Sequence, residues 1–221
     1  MADKRSNRLR KIKVWDIGTR LFHWSLVVLF ALSAFSAFQD KFDIYADMHL
    51  FSGFGILVLV VWRIVWGFWG SETSRFRQFV KSPKTVIAAL KAGDNPPVGH
   101  SAVGGYSVLL MLLLLLAQTC LGMFASDDML FSGPLSDHAG AAAADIRDIH
   151  ALLGRILMGV VFLHIAAILW YLLVRKINLI WPMVAGCKAV EEDVESQKFV
   201  SFWFAAIIFL ALLALLMWLI F

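Results

Sequence analysis

Long apolar runs separated by short charged segments dominate the chain, and no stretch alternates apolar and polar residues long enough to mark a sheet. A membrane-spanning helix needs about 20 mostly apolar residues. Five runs nearly free of charge reach that length: 20–38, 48–69, 104–125, 149–174 and 200–221. The pattern therefore predicts an all-α integral membrane protein, since backbone polar groups in lipid must be satisfied within a helix. The first run reads as a retained span rather than a cleaved signal. Its basic leader is long, Leu21-Phe22-His23-Trp24 opens it, and no small-x-small site follows before Gln39. The longest connection, 126–148, holds Gly133-Pro134 and the alanines Ala141 to Ala144, which predict a turn and a short surface helix. Ile177 to Pro182 is too short to span and is broken by proline, so it reads as an interfacial segment leading into the polar Glu191-Glu192-Asp193 stretch.

Composition agrees. Of 221 residues 60% are hydrophobic and 16% charged, against about 45–50% and about 25% in soluble domains. A mean hydropathy of +0.76, with 18 Phe and 9 Trp, excludes a soluble enzyme, a disulfide-stapled module and a disordered chain. The net charge of +4 reports topology and not a nucleic-acid partner, because the basic residues sort by alternate loops. Lys4, Arg5, Arg8, Arg10, Lys11, Lys13 and Arg20 precede the first span; Arg75, Arg77, Lys81, Lys84 and Lys91 follow the second; Arg175, Lys176, Lys188 and Lys198 follow the fourth. The other two loops hold only Lys41 and Arg147, which predicts a cytoplasmic N-terminus and places Phe221 outside. Those outer loops carry Asp40, Asp43, Asp47, Asp127, Asp128, Asp137, Asp145 and Asp148, a net of −6. Such a face is a solvated rim or a docking surface for a basic partner. Cys120 and Cys187 are too few for a disulfide framework and lie in no C-x-x-C-H motif, so any haem is held non-covalently.

Histidine inside a bilayer is a functional hypothesis by default. His23 lies in the first span, His49 at the head of the second, and His150 and His164 in the fourth. The last two are 14 residues apart, about 40° short of four helical turns and about 21 Å along the axis. They share a face at two membrane depths. The predicted orientation puts His23 with His164 at the inner level and His49 with His150 at the outer one. Two imidazoles from two helices at each level is the requirement for bis-His ligation of a haem between helices. Haem propionates need cations, and Arg20 and Arg63 fall at the inner level while Arg155 falls at the outer one; snorkelling to the interface is the plainer alternative for each. Gly53, Gly55, Gly154 and Gly159 follow the histidines and permit close approach of a flat macrocycle or of another helix. Trp15, Trp24, Trp62, Trp66, Trp69, Trp170 and Trp181 read as interfacial belts. His100, after Pro96-Pro97, and His138 read as loop histidines outside the ligand set.

Val14-Trp15-Asp16, Thr19-Arg20, Phe22-His23-Trp24, His49 with Gly53, Arg63, Trp66-Gly67 and Gly70 resemble the bacterial cytochrome b561 family. Asp127-Asp128, Gly133-Pro134-Leu135, the His150 and His164 pair, and Asn178-Leu179 with Gly186 and Lys188 extend the resemblance over residues 14–188. It implies an integral membrane four-helix haem-binding bundle with two b haems on His23, His49, His150 and His164. It further implies electron transfer between the quinone pool and a partner in the respiratory chain. The family includes the b-type subunits of nickel-iron hydrogenases, and one branch oxidises superoxide and reduces quinone. Two departures stand out: the fifth C-terminal span, and Gly99-His100-Ser101-Ala102 where relatives often carry His-Asn-Pro.

The resulting organisation is a basic cytoplasmic segment, 1–13; a dihaem membrane domain, 14–188; a polar linker, 189–199; and an added helix, 200–221. The leading function is an electron carrier or quinone-linked oxidoreductase subunit of the inner membrane, handing electrons between quinone or quinol and a periplasmic protein such as a c-type cytochrome or hydrogenase-like complex. Superoxide oxidation ranks second, because the acidic outer loops steer an anion away. A non-redox anchor or proton-relay transporter is the third reading. The fifth span suits a homo-oligomer, a larger complex or simple anchoring.

Overall fold

The computed structural model describes residues 9–39, 44–92, 98–127, 131–191 and 195–220, without the side chains of Leu9, Leu90 and Ala92. Lys4, Arg5, Arg8, Asp40, Lys41, Asp43, Asp128, Pro96-Pro97, Glu192-Asp193 and Phe221 lie outside the described residues. The chain opens with strand β1, Leu9–Lys13, followed by helices α1, Ile17–Ala37, and α2, Ile44–Trp69. A 3-10 turn, Glu72–Ser74, leads to the short α3, Phe76–Phe79, and to α4, Pro83–Ala92. Then come α5, Ala102–Phe124; α6, Ser136–Ala139; α7, Ala143–Leu173; α8, Ile180–Ala185; strand β2, Cys187–Glu191; and α9, Phe202–Ile220. Among these, α1, α2, α5, α7 and α9 are long and apolar enough to cross a membrane.

Local chemistry sets the boundaries. Asp16 caps α1 by accepting from the Thr19 amide at 2.7 Å, and Ser101 caps α5 through the Gly104 amide at 3.0 Å. Ahead of α8, Asn178 Oδ1 accepts from the Trp181 amide of its first turn at 2.8 Å. Gly186, at φ +79°, ends α8 in the left-handed region that glycine tolerates. The fourth span starts six residues before the expected 149 because Ala143 and Ala144, strong helix formers, carry it outward without a break. At 31 residues it is about 46 Å long, well beyond the hydrocarbon thickness of about 30 Å.

Two features depart from the apolar pattern. β1 and β2 form an antiparallel ribbon, with Ile12 opposite Lys188 and Arg10 opposite Val190. Its strands are short and of mixed polarity, so hydropathy hides them; only Ile12 and Val190 turn inward, onto Val14 and Trp15. β2 also takes residues 189–191 out of the expected linker. The rest of that linker is pinned to the end of α2. Glu72 and Lys198 exchange hydrogen bonds, and Ser71 Oγ accepts from the Val200 amide at 3.1 Å.

In the bundle, α1 packs on α2, α2 on α5 and α5 on α7, whereas α7 has no comparable packing on α1 or α2. The fifth span lies against α2 and α1. Gly18 makes room for Ala205, and Trp62 donates to the Ala205 carbonyl at 3.0 Å. This corrects the belt reading for three tryptophans: Trp15, Trp62 and Trp66 are buried, the last two stacked at 5.3 Å, while Trp24, Trp69, Trp170 and Trp181 stay exposed. α9 covers Trp62 and Trp66, while the ribbon and His100 enclose Trp15, neighbours that the local sequence does not show.

Candidate functional site

The four intramembrane histidines stand on three helices, His23 on α1, His49 on α2, and His150 and His164 on α7. The outer couple is drawn together directly: the His49 and His150 rings lie 6.1 Å apart, centroid to centroid, at 87°. Each ring is oriented by a neighbouring helix. His49 Nδ1 donates to the Ser33 carbonyl of α1 at 3.0 Å, and His150 Nδ1 donates to the Gln118 carbonyl of α5 at 2.9 Å. That arrangement fixes the Nδ1–H tautomer and makes Nε2 the acceptor nitrogen of each ring, which in His150 lies 3.2 Å from Gln118 Nε2. Two metal–imidazole bonds of about 2.0–2.1 Å, with about 1.1 Å from each nitrogen to its ring centre, place centroids about 6.3 Å apart. The observed centroid separation of 6.1 Å is close to that value. Among the described residues no three His, Cys, Asp or Glu side chains converge on a metal position.

Small residues create the necessary room. A Cβ on Gly122 would stand 3.0 Å from His150 Cε1, and one on Gly154 would stand 3.0 Å from Gln118 Nε2. Gly53, one turn beyond His49, faces open space within 4 Å, which a flat group between the helices can use. Gly159 also faces open space, but nine residues from His150 it lies about 180° around the helix, on the exposed side of α7. Gly55 serves the ordinary purpose, admitting Leu29 of α1.

At the ribbon end, His23 and His164 stand within electrostatic reach of each other, and His23 Nδ1 is buried without a hydrogen-bond partner. Arg20, one turn before His23, donates to the Val184 carbonyl at the end of α8 while its Nε stays unpartnered. Arg63 is 2% exposed, and its guanidinium lies over the Phe76 and Phe79 rings at 5.5 and 5.9 Å with Nη1 unpartnered. Arg155 is exposed and donates to the Ala151 carbonyl of its own helix at 3.2 Å. The structure thus brings Arg20 and Arg63 to the His23 level and leaves Arg155 on the flank of α7.

Two residues were missed from sequence. Gln118, a lone amide in the apolar run of α5, lies with its Nε2 3.2 Å from His150 Nε2, and its Oε1 is buried without a partner. An uncharged polar residue amid leucines was the available signal. His100 is wedged between Trp15, at 4.7 Å, and Phe79, at 4.6 Å. Burial and the nearby Arg63 pull its pKa down to about 3, so it is neutral at physiological pH. Its partners come from distant segments, and nothing adjacent in sequence announces them.

Beneath them lies a saturated carboxylate. Asp16, 3% exposed, accepts from the Thr19 amide at 2.7 Å and hydroxyl at 2.9 Å, from the Ser74 hydroxyl at 3.1 Å and from Trp66 Nε1 at 3.3 Å. This network locks the start of α1 to the end of α2 and so fixes the heights of His23 and Arg63 relative to each other.

No curated protein and no solved structure matches the chain. The family model of prokaryotic cytochrome b561, however, matches residues 14–186, a span that contains all four intramembrane histidines and the helices that carry them. With that match over most of its length and five helices long and apolar enough to cross a membrane, the chain belongs to the prokaryotic cytochrome b561 family, whose b-type cytochromes bind haem b and transfer electrons across membranes.

Proposed function

We propose that this protein relays electrons across the bacterial inner membrane through two b haems, between quinone or quinol in the lipid and a redox partner at the end away from the ribbon. His49 and His150 ligate one haem; His23 and His164 ligate the other. When bound, the haem irons would supply one-electron chemistry. The chain's own residues do the remainder. Ser33 and Gln118 orient the outer imidazoles through their carbonyls, and Arg20 and Arg63 neutralise propionates at the ribbon end; Arg155, expected from sequence at the outer haem, points away from His150 on the exposed flank of α7.

The observation that carries this reading is the His49–His150 couple, 6.1 Å apart, each ring held by a different helix. Orientation follows from charge. The ribbon end collects Arg10, Lys11, Lys13, Arg75, Arg77, Lys81, Lys84, Lys91, Arg175, Lys176, Lys188 and Lys198, which marks it as cytoplasmic. The opposite end carries Asp47, Asp127, Asp137, Asp145 and Asp148 against Arg147 among the described residues. That face suits a basic periplasmic partner such as a c-type cytochrome.

Proteoliposomes test the proposal. Quinol in the bilayer should reduce the haems, and an added external c-type cytochrome should reoxidise them at a rate that falls with salt. Haems that quinol cannot reduce, or an acceptor that works equally well from the basic side, would contradict it.

A further inference from the structure

Of the described side-chain nitrogens and oxygens buried without a hydrogen-bond partner, four gather at the ribbon end: Arg20 Nε, His23 Nδ1, Arg63 Nη1 and His100 Nδ1. Leaving one such group unsatisfied costs about 1–3 kcal/mol, and native proteins hold few of them. Arg63 and His100 share a neighbour. The Phe79 ring lies 5.9 Å from the guanidinium and 4.6 Å from the His100 ring, so both groups pack against one aromatic side chain. The carboxylate at hand cannot serve them. Asp16 is engaged by four donors and forms no ion pair with Arg63 among the described residues. A guanidinium carries donors only, and a neutral imidazole with Nδ1–H adds one more. What both lack is an acceptor that reaches them together, and the full positive charge of Arg63 favours an anionic one.

We propose that Arg63 and His100 jointly bind one carboxylate, a propionate of the haem held by His23 and His164, with Arg63 supplying the charge and His100 a neutral N–H. The assignment rests on the two-haem reading and gives a role to a loop histidine that no ligand set includes. His100 is neutral, so it stabilises the carboxylate as a dipole at physiological pH without adding a second charge beside Arg63. Its ring is gripped on two sides by Trp15 and Phe79, which fixes the direction of that dipole.

Removing the donor leaves the propionate charge less compensated, which favours the ferric state and lowers the potential of that haem alone. The experiment is a redox titration of the purified, haem-loaded full chain, comparing wild type with His100→Phe and His100→Asn. Phenylalanine keeps a ring between Trp15 and Phe79 but has no donor; asparagine keeps a donor but has no ring. The expected result is a negative shift of one of the two midpoints in His100→Phe and its recovery in His100→Asn. A wild-type titration for His100→Phe with a damaged His100→Asn means that the histidine only fills space, and overturns the proposal. Equal shifts of both haems overturn it too.

Reconstitution with haem dimethyl ester, which lacks the carboxylates, should erase the difference between wild type and His100→Phe; a difference that survives esterification means another acceptor, such as a quinone carbonyl, and refutes the assignment. If His100→Phe does not assemble, His100→Asn decides by itself: an unshifted midpoint supports the donor role and a shifted one contradicts it. A protein that carries no haem at all fails the underlying reading instead, so the two failures are distinguishable.

Discussion

Gly53 offers a prediction in which the bare protein and the haem-bound protein respond in opposite directions. A side chain added there meets nothing within 4 Å, so Gly53→Leu creates no clash with the polypeptide. It should even firm α2, since a glycine in a helix interior costs about 1 kcal/mol relative to good helix formers. Yet the residue is one turn beyond His49, about 40° around the helix from it, on the side that looks into the gap beside α7. If a porphyrin lies in that gap, the leucine competes with it for the same volume. Overpacking of this kind costs about 1–3 kcal/mol, which weakens haem binding about 5- to 150-fold. Gly159→Leu is the matched control: it too meets nothing within 4 Å, but it lies on the far side of α7. The assay is haem content per purified chain, from the absorbance of the extracted haem, alongside thermal melting. Gly53→Leu should lose the outer haem and keep the inner one; Gly159→Leu should keep both. Full retention in Gly53→Leu, or equal loss in the two variants, would refute the placement of the macrocycle.

Three further outcomes follow from the same geometry. Asp16→Ala removes an acceptor that four donors share in a buried site and should destabilise the fold by several times the roughly 1 kcal/mol of a single hydrogen bond, seen as a lower midpoint in thermal or denaturant unfolding. His100, held neutral in the fold with its pKa lowered from 6.5 to about 3, binds a proton more readily in the unfolded chain; its contribution is therefore complete above about pH 6.5 and is lost as pH falls towards 3. His100→Phe should melt with a shallower acid dependence over that window, as followed by unfolding at stepped pH. Superoxide consumption by the purified protein with added quinone should be slow, because the exposed Asp137, Asp145 and Asp148 repel an anion; rapid consumption that salt slows would reverse that ranking.

Much of this architecture is legible in the sequence because the bilayer imposes a length rule on apolar runs, and all five spans obey it to within a few residues at most ends. The pairing of His49 with His150 is readable for the same reason: helix rise converts residue number into depth. What stays hidden depends on tertiary neighbours. The ribbon is two five-residue strands of mixed polarity, with inward positions at Ile12 and Val190 that are too few to register as a pattern. The burial of Trp62 depends on α9 arriving from 143 residues away. His100 reads as an ordinary loop residue until Trp15 and Phe79 close around it. Gly159, counted with the other glycines near the histidines, is separated from them by the angular step of the helix and not by its distance along the chain.

The central claim is that imidazoles clasp haem in couples drawn from different helices, and counting haems across four single variants tests it most directly. Wild-type protein should carry two haems per chain. His49→Ala and His150→Ala should each lose one and leave the same spectrum behind, while His23→Ala and His164→Ala should each lose the other. One haem in the wild-type protein, or a loss pattern that joins His49 with His23 or with His164, would contradict it.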